Sequence, residues 1–167
     1  MTTCGGAMRK GLVAGTIVLV TAATGCSGDP DQEDMATPGK TLPAYQGGPA
    51  LVRVGTTGRG PALVDGLGRA LYLFERDGEG RSRCAGDCQA MWPPYLTEGA
   101  PKAGAGARQD LLGSIARADG KEQVTYAGRP LYRFRKDLAP TDSAGHDLWD
   151  HGAEWYLVTA TGARVTP

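Results

Sequence analysis

The sequence predicts an all-β fold: two duplicated antiparallel β-meanders packed as a pseudo-twofold sandwich or flattened barrel, with little helix. Three observations predict it. Glycine (26) and proline (11) make up about 22% of the 167 residues, a density of turns that favours short strands over long helices. A shift of 60 residues superposes Gly60–Asp77 on Gly120–Asp137 with eight of 18 positions identical, the mark of an internal duplication. Within those stretches Tyr72 and Phe74, like Tyr132 and Phe134, alternate at period two and so share one face of a strand, which is the predicted core.

Composition narrows the function before any motif does. With 41% hydrophobic and 22% charged residues the chain is an ordinary globular protein. The 18 basic and 18 acidic side chains cancel, so no long-range field recruits nucleic acid, and that class of partner is excluded.

The first element, residues 1–25, reads as an export leader. Met8-Arg9-Lys10 is basic, Gly11 to Gly25 carries no charge, and the apolar run Leu12 to Ala23 has the length of a signal-peptide core, too short to span a bilayer. Ala23-Thr24-Gly25-Cys26 resembles a bacterial lipobox, which implies that Cys26 is the lipidated first residue of the mature chain and that the partner is a membrane. The alternative is plain secretion with Cys26 as a free thiol. Cleavage takes two of the 18 basic residues and no acid, leaving a formal charge of −2. Residues 26–49 then form a flexible tether, since SGDPDQEDMATPGKTLPAYQGGP holds too few large apolar groups to offset its ordering entropy.

The first β repeat, residues 50–98, carries predicted strands at Leu51–Val54, Pro61–Val64, Ala70–Glu75 and Tyr95–Thr97, with a turn or two of helix around Ala85–Met91. Residues 99–109 are a Gly/Ala-rich loop whose small residues predict no contribution to the core, and a second helical turn is expected near Gln109–Leu112. The second β repeat, residues 110–167, carries strands at Leu112–Arg117, Glu122–Tyr126, Pro130–Arg135 and Trp155–Thr159, and a last hairpin turning at Thr161-Gly162. Asp119-Gly120 has the composition of a two-residue hairpin turn, both positions accepting positive φ.

The two Tyr-x-Phe-x-x-Asp motifs, Cys84-Ala85-Gly86-Asp87-Cys88 followed by Trp92-Pro93-Pro94, and Gln123-Val124-Thr125-Tyr126 together resemble the bacterial secreted-repeat lipoproteins. That family is defined by a Tyr-x-aromatic-x-x-Asp signature and classed as of unknown function. The resemblance covers about Leu51 to Val158 and implies an exported, usually lipid-anchored, duplicated domain without assigned activity. The second copy lacks the cysteine pair and the Trp-Pro-Pro run, so a site built on them is single.

Few residues offer chemistry. Cys84 and Cys88 form a disulfide in an oxidising compartment; the other readings are a Cu(I) thiolate pair and a redox-cycling pair. His146 and His151, with Asp147 and Asp150, sit in a polar loop under Trp149, or with the cysteines ligate copper or zinc. Asp77 and Asp137 lie where each motif strand ends and either lock its exit by accepting turn N–H groups or form a carboxylate pair for a cation or acid/base work. Arg69 and Arg129 snorkel over the aromatic face or pair with these acids, and Trp92 covers a core edge or stacks on a ligand. No Gly-x-Ser-x-Gly, His-Glu-x-x-His or Walker loop occurs. The reading is a non-enzymatic, membrane-tethered extracytoplasmic module without a cofactor, its protein or small-molecule partner unspecified; the alternative is a copper or thiol-redox protein.

Overall fold

Two strands separated by a tight turn open the folded region: β1 (Leu51–Thr57) and β2 (Gly60–Asp65) pair antiparallel from Val52↔Asp65 to Thr57↔Gly60. The Thr57 hydroxyl fastens the turn, donating to Gly60 O at 2.8 Å and accepting from Arg59 N at 3.2 Å. The structure, a computed structural model, describes residues 47–166; the leader, Cys26 and all but the end of the tether lie outside them.

The chain continues through β3 (Tyr72–Phe74), the short helix α1 (Asp87–Met91), β4 (Leu96–Thr97) and β5 (Lys102–Ala103). A 3₁₀ turn at Gln109–Leu111 leads into β6 (Leu112–Ala116), β7 (Glu122–Tyr126), β8 (Arg129–Pro130), β9 (Leu148–Asp150) and β10 (Ala153–Leu157). Three sheets result, in the orders β2-β1-β5, β3-β10-β9 and β4-β7-β6, with β8 also on β7. The fold is nearly all β with two repeats, as the composition predicts. None of the three sheets closes, which removes the flattened barrel.

Strands are exchanged between the repeats. β3 of the first copy pairs with β10 of the second, and β4 of the first pairs with β7 of the second, so neither copy is a self-contained meander. At the crossing point Tyr72 N donates to Tyr132 O and Tyr132 N to Tyr72 O, both at 2.9 Å, which places the pseudo-twofold axis between these two residues. Exchange gives each short strand a partner that its own copy does not supply.

Both faces of the β3–β10 pair are buried. Alternation sends Tyr72, Phe74, Trp155 and Leu157 into one core and Leu73 and Tyr156 into another, which holds Val52, Leu63, Val124, Tyr126 and Leu131. The sequence reading marks only the first of these faces.

Several local expectations change. The predicted strand Pro130–Arg135 shrinks to β8 and isolated pairings, because its partner is Trp92-Pro93-Pro94: Arg133 N bonds Pro93 O at 2.9 Å, but the prolines return no N–H. Asp119-Gly120 is not a two-residue turn. Arg117 N bonds Lys121 O at 2.8 Å, which leaves three residues in the loop, and of the two expected positions Gly120 alone has positive φ. The loop 99–109 is not idle either: β5 runs parallel to β1, Gly104 N donates to Val52 O at 2.7 Å and Val54 N to Ala105 O at 2.8 Å. Its small residues serve close approach, since a Cβ on Gly106 (φ 75°) would stand 2.9 Å from that of Val54. The region His146–His151, expected as loop, contains β9, and Trp149 is 66% exposed on it.

Candidate functional site

The motif side chains meet around the pseudo-twofold axis, and nearly every contact there occurs twice. Trp92 and Trp155 stack face to face at 3.9 Å between ring centroids and 4° between planes. Phe134 stacks on Trp92 at 4.2 Å and Phe74 on Trp155 at 4.1 Å; Tyr72 and Tyr132 meet the same indoles edge-on at 5.4 and 5.1 Å. Trp92, fully buried, is therefore central and not an edge cover, and Trp155 is its counterpart in the second copy. Sequence spacing hides this match, which falls at an offset of 63 residues and not 60. Both indole N–H groups end on one residue, Trp92 Nε1 on Asp150 Oδ2 at 2.9 Å and Trp155 Nε1 on Asp150 O at 3.1 Å.

Each motif aspartate takes a phenol from the other copy. Tyr132 Oη donates to Asp77 Oδ2 at 2.6 Å, and Tyr72 Oη donates to Asp137 Oδ2. The second oxygen of each acid accepts the N–H of a following turn, Arg83 N on Asp77 at 2.6 Å and Ala144 N on Asp137 at 3.0 Å, which is the strand-exit lock expected of them. Burial raises both carboxyls above the ordinary range despite these donors, and burial followed by the neighbouring aspartate raises both phenols. The tyrosines thus stay protonated and act as donors. The motif arginines go elsewhere: Arg69 Nε binds Asp65 at 2.8 Å, and Arg129 Nη2 binds Phe74 O at 3.0 Å with Glu75 at 3.5 Å.

Symmetry fails just beyond the aspartates. In the second copy Gly145 follows the donor Ala144 and lies so close to Trp92 that a Cβ would stand 2.7 Å from the indole; Tyr72 and Asp137 beneath are sealed from solvent. In the first copy Cys84 follows the donor Arg83, and it closes a disulfide with Cys88 at the start of α1, Cα to Cα 5.2 Å. A serine joins this phenol: Tyr132 Oη lies 2.8 Å from Ser82 Oγ and, with its one proton given to Asp77, accepts the serine hydroxyl. Arg117 Nη1 reaches Ser82 Oγ at 3.3 Å and Gln123 Oε1 at 2.6 Å, and its Nη2 reaches Gln89 Oε1 on α1 at 2.7 Å.

Above this network opens a groove of about 310 Å³, with Arg81, Ser82 and Cys84 on one wall and Ile115, Ala116 and Arg117 on the other. The lining holds two arginines and no carboxylate. It is the candidate site. Arg117 and Ser82 carry no distinguishing mark in the sequence, and Asp150, read there as a neighbour of the histidines, instead holds both indoles; alternation puts Arg117 on the face of Ile115 but does not say what it meets there.

The histidines are not brought into a common centre with the cysteines. His146 is 5% exposed, its Nδ1 accepting from Leu157 N at 3.3 Å and its ring edge-on to Tyr156 at 5.8 Å. Burial, then Arg59, lowers its pKa, so it is neutral with the proton on Nε2. His151 sits in the β9–β10 turn, Nε2 3.7 Å from Asp150. Among the described residues no group of three or more His, Cys, Asp and Glu is placed to hold a metal ion.

The profile of a family described as a secreted repeat of unknown function matches residues 53–95 and 113–159, one stretch in each copy. Together these span more than half of the chain, and the protein belongs to this family. No curated protein and no solved structure matches it.

Proposed function

We propose that this secreted-repeat protein is a non-enzymatic binding module of the bacterial envelope, held at the membrane by a lipid on Cys26 and presenting the groove beside the Cys84–Cys88 disulfide. One observation carries the reading: of two Tyr–Asp pairs that the pseudo-twofold axis makes equivalent, one has a sealed carboxylate, and the other has a half-buried carboxylate and is joined through Ser82 of the first copy and Arg117 of the second to a polar groove. The chemistry at the groove favours binding over catalysis. Its thiols are tied in a disulfide, and the phenol of Tyr132 beneath it is fully buried and keeps its proton in the bond to Asp77. Membership of a secreted family is consistent with an extracytoplasmic place, and the disulfide suits an oxidising compartment.

The anchor is tested in the native bacterium by fractionation and metabolic labelling with a fatty acid. Wild-type protein is expected in the membrane fraction with label, and Cys26→Ala in the soluble fraction without it. Membrane retention of an unlabelled wild type overturns the anchor.

A further inference from the structure

The groove has a wall that side chains do not describe. β6 pairs only with β7, so one long edge of the strand has no neighbour among the described residues. Arg117 N bonds Lys121 O, and the alternation of an antiparallel ladder then turns Ile115 and Gly113 toward β7 and the N–H and C=O of Ser114 and Ala116 outward. Both outward residues are exposed. An unpaired edge of this kind is a template for an added strand, and natural sheets normally blunt it with a charge or proline, which β6 (LGSIA) lacks.

We propose that the groove takes an extended peptide segment carrying a carboxylate, added as a strand along β6 with the carboxylate between Arg81 and Arg117. Charge selects this occupant. The lining holds those two arginines and no acid; Arg81 is exposed and makes no ion pair among the described residues, and Arg117 has only Asp119 at 3.7 Å. Main-chain bonds to Ser114 and Ala116 supply affinity, and alternate side chains of the peptide fall on the face where Ser82 meets Arg117. This inference rests on the groove being the binding site, and not on the lipid anchor.

The test uses the full chain in detergent and two labelled eight-residue peptides, one alternating valine with glutamate and one alternating valine with lysine. Anisotropy is expected to show binding of the glutamate peptide at least tenfold tighter than the lysine peptide, with slowed amide exchange at Ser114 and Ala116. Ser114→Pro removes an outward N–H that makes no bond in the sheet and is expected to weaken binding at least tenfold, as is the exposed Arg81→Glu, which needs no change in β6. Absence of binding, or equal binding of both peptides, overturns the peptide inference and leaves the groove without a ligand class. Binding that protects amides away from β6 overturns the groove itself.

Discussion

Tyr72 with Asp137 and Tyr132 with Asp77 are the same hydrogen bond made twice, yet one is closed over by Gly145 and the other opens through Ser82 to a groove. The shared part is the part that holds the molecule together: stacked indoles, flanking phenylalanines and crossed Tyr–Asp pairs, all bridging the two copies. What differs are the segments between the motif aspartate and the tryptophan. In the first copy that segment holds a disulfide and α1; in the second it holds the buried His146, Asp150 and the β9 strand. A duplicated fold needs both halves of its core, so the core constrains both copies alike, and the connecting segments are where one copy can diverge without costing the other its packing.

The largest effect is expected from emptying the shared core. Phe74→Ala and Phe134→Ala remove rings that are 1% and 3% exposed and stacked on paired indoles, so each should cost about 3 to 5 kcal/mol in chemical denaturation, and by nearly equal amounts. A cost below about 1 kcal/mol at either position would show that the halves do not share one core.

The crossed phenols should separate the halves. Tyr72→Phe leaves the sealed Asp137 with a lost donor, at about 1 to 3 kcal/mol, the usual cost of an unsatisfied buried group. Tyr132→Phe is expected to cost less, because Asp77 is only half-buried and solvent or the neighbouring Ser82 hydroxyl can supply another donor. Equal losses, or a larger one at Tyr132, contradict the sealed-versus-open contrast.

The smallest effect is on acid stability and belongs to the second copy. His146 has its pKa lowered below the 6.5 of a free imidazole by burial, so the unfolded chain binds its proton first. The stability it contributes is present above pH 6.5 and lost as pH falls through the folded value, when a proton on Nδ1 also displaces the Leu157 N–H. His146→Gln should flatten stability between pH 7 and 5 relative to wild type, measured by denaturant titration at each pH. An unchanged slope sinks the assignment.

Much of this architecture was legible in the chain. The duplication, the strand at Glu122–Tyr126, the helical turns near Asp87 and Gln109 and the pairing of Cys84 with Cys88 all follow from local pattern. The equivalence of Trp92 and Trp155 did not show at the 60-residue shift, because the segments before them differ in length; only a shift of 63 lays Asp87, Ala90 and Trp92 on Asp150, Ala153 and Trp155. The buried side of Arg117 and the role of Asp150 were equally hidden.

By itself the sequence determined most of the strands and one of the two core faces: glycine and proline set where strands stop, period-two alternation set which side chains travel together, and repetition showed that two such units exist. Tertiary structure decided which strand pairs with which. Exchange of β3 and β4 between copies depends on contacts between residues 81 to 85 positions apart for β3 and 25 to 27 for β4, whose energies no local pattern encodes. For the same reason the groove appeared only in three dimensions. It is formed where an unpaired edge from one copy passes the disulfide loop of the other, and neither wall carries a sign of its neighbour.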